Sequence, residues 1–210
     1  MAKSKLFTPA RLRSVTFDNR IVVSPMGQYS ADTSGFATRW HSMHLGHLSL
    51  SGAGLVFTEA TAVEPRGRVS PKCLGIWSDE HVSGLREVVS FCRQVGGARL
   101  GMQLAHSGRK GSVTVPWERQ VGMQDGEGGW LMASPSDVAY PGRPVPEALD
   151  TAGLKQVRDA FVAAARRADA AGFDIIEIHN ARLPSAFLPV SIRQRANGSI
   201  RRKPAEPDAL

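Results

Sequence analysis

Short apolar runs alternate with longer stretches of helical periodicity along this 210-residue chain, and that alternation limits the folds open to it. The β-branched run NRIVVS at 19–24 predicts a first strand, ended by Pro25. Residues 39–51 have helical character, and GLVFTEATA at 54–62 predicts a second strand. Val82, Leu85, Val88, Val89 and Cys92 recur at three- and four-residue spacing. They predict an amphipathic helix over 79–95, with Ser78 as its N-cap. ARLGMQL at 98–104 predicts a third strand. Leu154, Val157, Phe161, Ala164, Ala165 and Ala168 share one face of a helix over 151–171, which Gly172 ends. FDIIEI at 173–178 predicts a fourth strand. Residues 107–150 are rich in Gly, Pro and Ser and have little periodicity, the mark of a functional or mobile excursion.

Strand–helix repeats imply parallel strands joined by right-handed crossovers. Four such units are half of a TIM (β/α)8 barrel, so the expected class is α/β, with about the first four β/α units present. A doubly wound sheet is the alternative. It usually carries a Gly-rich phosphate turn after its first strand, and SPMGQY is not one.

With 42% hydrophobic and 21% charged residues, the chain has the composition of a globular domain with a sizeable core. A net charge of +7 raises the question of nucleic acid. The excess is local: from Arg182 onward the chain holds six basic residues against two acidic ones, and without that stretch the net charge is about +3. The basic stretch lacks interleaved aromatics, so a nucleic-acid partner is not expected. Cys73 and Cys92 form neither a metal spacing nor a disulfide framework, and MAKSKLFTPARLRS lacks the apolar core of a signal peptide. These features predict a cytoplasmic setting. The absence of a run of about 18 apolar residues predicts no membrane association.

In a barrel the active site forms where strands end at their C-terminal edge. The four predicted strands deliver Tyr29, Ala60, Gln103 and His179 to that edge. A phenol, a small residue, an amide and an imidazole suit a flat conjugated ligand. The small residue permits close approach, the amide offers paired donor and acceptor, and Tyr and His can donate to a carbonyl. Two plainer readings stay open: Gln103 as a strand-end cap and His179 as a satisfied polar residue. Met26 reads by default as packing. His41, His44 and His47 share one predicted helix, but no carboxylate or fourth ligand accompanies them and no metal site is expected. Trp117 and Trp130 are either lid contacts or local packing.

The segments NRIVVSPMGQYS, LVFTEATAVEPRGR, LGIWSDEH, GMQLAHSGRK and AGFDIIEIHNA occur in order and at sensible distances. Together they resemble the Old Yellow Enzyme family of FMN-dependent NAD(P)H:ene reductases, most closely its bacterial short-loop branch, over about residues 5–181. The resemblance implies a TIM barrel with FMN at its mouth. NADPH or NADH would be the hydride donor, and a small-molecule α,β-unsaturated carbonyl compound the acceptor. Ser24, Pro25, Met26 and Gly27 would lie along the flavin, with Ala60 and Gln103 at the isoalloxazine ring. His179 would be the first of two residues holding the substrate carbonyl oxygen, and Tyr29 would assist substrate binding. Arg109 and Lys110 follow the third strand without a defined role. A homo-oligomer is the expectation for the intact family.

Two positions depart from the pattern. Gly27 stands where this branch often has Cys or Thr, which predicts a different flavin redox potential. Arg182 stands where the family has its second substrate-holding His, and the text that follows, to Leu210, loses the family's motifs. Residues 1–181 are therefore read as the N-terminal half of an FMN-binding barrel, and residues 182–210 as an irregular, frameshifted tail. Strands five to eight would then be missing, which makes an inactive half-barrel that binds FMN weakly or not at all the second functional reading. Back-translated with degenerate codons and read one base later, the tail permits GYLLHSFLSPSVNERTEVYGGSLRNRMR, in the family's order. The predicted cause is a loss of two bases, or an equivalent shift, near codon 181. Nucleotide sequencing of the locus is expected to show these motifs in the next frame, and a frame without them refutes the idea.

Overall fold

A computed structural model describes residues 4–124, 126 and 128–179. The tail from Arg182, and the frameshift reading attached to it, lie outside the described residues. The chain opens with an antiparallel hairpin of β1 (Ala10–Leu12) and β2 (Val15–Phe17), turned at Arg13 with φ 52°. Strands of three residues are too short to show an alternating pattern, and the sequence reading missed them. There follow β3 (Val22–Val23), α1 (Arg39–Ser49), β4 (Leu55–Ala62), α2 (His81–Val95) and β5 (Arg99–Ala105). The excursion contains β6 (Ala133–Ser134) and β7 (Glu147–Ala148), and the described part closes with α3 (Thr151–Ala171) and β8 (Ile175–Ile178). No helix among the described residues is long and apolar enough to cross a membrane.

Strands β3, β4, β5 and β8 form one parallel sheet in that order, each joined to the next by a helix. The strand–helix alternation therefore gave the right connectivity. The first strand is much shorter than 19–24, for an identifiable reason. Asn19 turns its side chain back on the chain, accepting from the Ile21 and Gly54 amides at 3.0 Å each. Only Val22 and Val23 are left to enter the ladder before Pro25. Helix α2 starts at His81, two residues later than expected. Ser78 does not cap it through a backbone amide; its hydroxyl meets His81 Nδ1 at 2.8 Å. Helix α3 has the expected bounds because both ends carry strong signals. Asp150 accepts from the Gly153 amide at 2.8 Å, and Gly172 takes φ 95°, a left-handed conformation that suits Gly.

Two apolar layers cover the sheet. On the helix side Val56, Leu100 and Met102 pack against Leu85, Val88 and Ala168. On the other side Phe57 and Leu55 pack with Phe17 and Val15 of the hairpin and with Ile175. This side is the barrel interior, and the hairpin closes its lower end. The register carries the interior pattern upward. Phe57 pairs with Gly101, and Gly101 with Ile175. One level higher Ala60 pairs with Gln103, and Gln103 with Glu177. From the first level to the second, β4 advances three residues while β5 advances two, so β4 carries a one-residue bulge at Thr58–Glu59.

Gly101 has a steric reason. A Cβ there would run into the Phe57 ring, which lies across the position. Gly101→Ala is expected to destabilise the protein by about 1–3 kcal/mol through overpacking, measured as a lower midpoint in urea-induced unfolding. An unchanged midpoint would show that Phe57 moves aside without cost.

Candidate active site

Side chains alternate across a strand, so residues two apart share a face. Above the Phe57 level the interior face therefore presents Ala60, Gln103 and Glu177 in one row, at the C-terminal ends of three neighbouring strands. Gln103 Nε2 donates to Glu177 Oε1 at 2.6 Å. That contact orients the amide and leaves it a second donor and an acceptor. Gln103 is buried, with 6% of its surface exposed. His179 lies two residues beyond Glu177 on the same alternation, and its backbone amide donates to the Leu104 carbonyl at 2.9 Å. The sequence reading missed Glu177. Its spacing of two from His179 was the signal that could have found it.

The turn after β3 forms the neighbouring wall. Ser24, Met26 and Gly27 are exposed, and Pro25 is half-buried. Met26, with 48% exposed, is not the packing residue that its type suggests. Tyr29 has φ 51°, a left-handed conformation that is uncommon outside Gly, Asn and Asp. A Cβ at Gly27 would stand 3.2 Å from the Tyr29 ring, so the absent side chain lets that ring fold back over the turn. The long excursion reaches the same place. Gln120 Nε2 donates to the Tyr29 hydroxyl at 3.3 Å, and the Trp117 ring stands edge-on to Tyr29 with centroids 6.3 Å apart. Trp117 is thus a cap contact, 67% exposed. Trp130 is packing: its ring lies 4.9 Å from the Arg68 guanidinium, whose other neighbour is Trp77 at 5.2 Å. Gln120 carried no sequence signal, because the fold alone brings residue 120 to residue 29.

Buried carboxylates and imidazoles hold the strand ends. Glu64 Oε1 accepts from Arg66 Nε and His106 Nε2, each at 2.7 Å. His106 Nδ1 accepts from the Gly108 amide, which fixes the ring proton on Nε2. Burial pushes the Glu64 carboxyl up, but the hydrogen bonds from His106 and Arg66 and the Arg66 charge outweigh it and hold the group below its ordinary value. Arg109 and Lys110 serve the excursion: Arg109 donates to the Val138 carbonyl at 3.0 Å, and Lys110 Nζ lies 5.3 Å from the Tyr140 ring centroid. Of the three helix histidines, His41 does meet a carboxylate, Glu59 at 3.3 Å, which is remote in sequence. Among the described residues no group of three His, Cys, Asp or Glu is placed to hold a metal ion.

The strand order defines the class: the N-terminal half of a (β/α)8 barrel, with these polar groups collected at the C-terminal end of its sheet. A family model described as the NADH:flavin oxidoreductase / NADH oxidase family matches residues 5–201, and the chain belongs to that family. Among curated relatives, an NADPH dehydrogenase of Geobacillus sp. is 43% identical over 198 residues, covering 92% of this chain and 54% of the relative. An NADH:flavin oxidoreductase of Gibberella zeae is 41% identical over 201 residues, covering 92% and 48%. Among solved structures, morphinone reductase superposes with a TM-score of 0.78 at 28% identity, covering 96% of this chain and 55% of that one. The Old Yellow Enzyme homologue from Zymomonas mobilis gives 0.75 at 27% identity, covering 90% and 52%. The chain spans about half the length of the curated relatives it matches.

The lowered Glu64 pKa has a pH consequence. The stability it contributes is fully present above the unfolded value, 4.5, and is lost as pH falls through the lower folded value. Glu64→Gln removes that dependence. The wild type is expected to lose more thermal stability than the variant between about pH 6 and about pH 3. Parallel losses in the two proteins would contradict the assignment.

Proposed function

We propose that the mouth of this half-barrel is the flavin-side wall of an FMN-dependent NAD(P)H oxidoreductase acting on the C=C bond of α,β-unsaturated carbonyl compounds. The observation that carries the reading is the row Ala60, Gln103 and Glu177 beside the exposed ledge of Ser24, Pro25, Met26 and Gly27. These residues suit a flat, polar-edged ring system. Ala60 adds no bulk beyond a methyl group, and Gln103 offers donor and acceptor together. Ser24 to Gly27 would lie along the flavin, with Ala60 and Gln103 at its ring. FMN held by these residues would supply the hydride chemistry between NADPH or NADH and the unsaturated acceptor.

The chain's own residues bind and orient. Glu177 holds the Gln103 amide in one rotamer, so its remaining donor and acceptor are set before the ligand arrives. His179 follows on the same face and would donate to the substrate carbonyl oxygen, drawing electron density from the alkene. Tyr29, held by Gln120 and flanked by Trp117, would line the substrate side and exclude water there. NADPH is named for the Geobacillus relative, which favours it as the donor.

Titration of the purified chain with FMN tests the reading, with flavin fluorescence and visible absorbance as readouts. Saturable binding is expected, and His179→Ala should leave it intact while lowering enone turnover by on the order of 10²–10³-fold. Colourless protein that takes up no FMN overturns the reading for this chain and supports the inactive half-barrel instead.

A further inference from the structure

The bulge in β4 has a consequence for Glu59. Without the extra residue, position 59 would pair with Gln103 and turn its carboxylate into the barrel mouth. The bulge gives that place to Ala60 and turns Glu59 away, where it is buried with 4% of its surface exposed. There it meets two donors. Glu59 Oε2 accepts from the Gln28 backbone amide at 3.2 Å, and Oε1 contacts His41 Nε2 at 3.3 Å. His41 Nδ1 accepts from the Thr38 backbone amide at 2.9 Å, so the ring proton sits on Nε2 and is donated to Glu59. The Thr38 hydroxyl in turn donates to the Ser30 carbonyl at 2.9 Å. The ring of contacts begins and ends on the turn that holds Gly27 and the left-handed Tyr29, and it fastens that turn to the start of α1.

We propose that Glu59 is a positioning residue. Its carboxylate, oriented by His41, fixes the turn of residues 26–30 at the barrel mouth and holds Tyr29 in its left-handed conformation. The role in flavin binding rests on the reading given above; the fixing of the turn does not. The chemistry is specific to a carboxylate. Both partners are donors, and a glutamine at 59 has one oxygen acceptor and one amide donor, so it would place N–H against N–H at Gln28 or at His41. Other contacts to the turn, such as Trp40 Nε1 donating to Gln28 Oε1 at 3.1 Å and Gln120 Nε2 donating to the Tyr29 hydroxyl at 3.3 Å, reach side chains rather than the Gln28 backbone amide.

Residue-resolved hydrogen exchange on the full chain tests this without flavin. In the wild type the Gln28 amide is expected to be protected, although its acceptor is a side chain. In Glu59→Gln the Gln28 and Tyr29 amides should exchange at least about tenfold faster, with the Val56, Leu100 and Met102 amides unchanged. His41→Leu removes the second contact and should give a smaller effect in the same direction. A freely exchanging Gln28 amide in the wild type overturns the proposal, whether or not the variants fold. So does acceleration of the sheet amides in step with Gln28, which would make Glu59 a general stabiliser. FMN titration separates the two readings. If the wild type binds FMN, Glu59→Gln should weaken binding at least about tenfold, and unchanged affinity with a loosened turn overturns the flavin role. If the wild type binds none, the functional reading fails and the exchange result alone decides the positioning role.

Discussion

The register of the parallel sheet, with its single bulge in β4, is the constraint on which the rest of the site depends. A strand presents alternate residues to one face, so one inserted residue exchanges inside for outside in everything beyond it. Phe57 sits inside below the bulge and Ala60 inside above it. The same step removes a buried carboxylate from the mouth and delivers a methyl group in its place. Gln103 and Glu177 on the two following strands need no such correction, because β5 and β8 run in simple register.

Around that row the structure places polar groups in pairs that set each other's proton positions. Glu64 with His106 and Glu59 with His41 are both carboxylate–imidazole contacts at the edge of β4, and in both the second ring nitrogen accepts a backbone amide. Each imidazole is therefore a donor of defined direction. One pair fastens the start of the excursion after β5, the other the turn after β3. Burying such groups is costly unless each has a partner. Among the described residues only the Ser136 hydroxyl is buried without one.

The excursion of residues 107–150 acts as a structured cap. Arg68 between Trp77 and Trp130 holds its base, and Gln120 and Trp117 bring its tip to Tyr29. Burial lowers the pKa of the Arg68 guanidinium, and carbonyl acceptors at Thr33 and Pro65 supply the contacts it loses from water. The cover over Tyr29 thus depends on residues far from it in sequence, joined through a cation between two aromatic rings.

What the sequence by itself determined is the alternation of elements, and with it the parallel sheet, its order and the edge at which chemistry can collect. Those signals are local: runs of β-branched residues, a helical face, an Asp and a Gly at the ends of α3. The motifs at the strand ends also sufficed to identify the family. Only the tertiary structure decided where the strands start, because Asn19 draws the first half of its run into side-chain contacts, and which residue of β4 faces inward, because a bulge leaves no compositional trace. It alone joined Glu59 to His41, Glu177 to Gln103 and Gln120 to Tyr29. Hydrogen bonds between residues distant in the chain follow from register and loop path, and neither is written in the spacing of one segment.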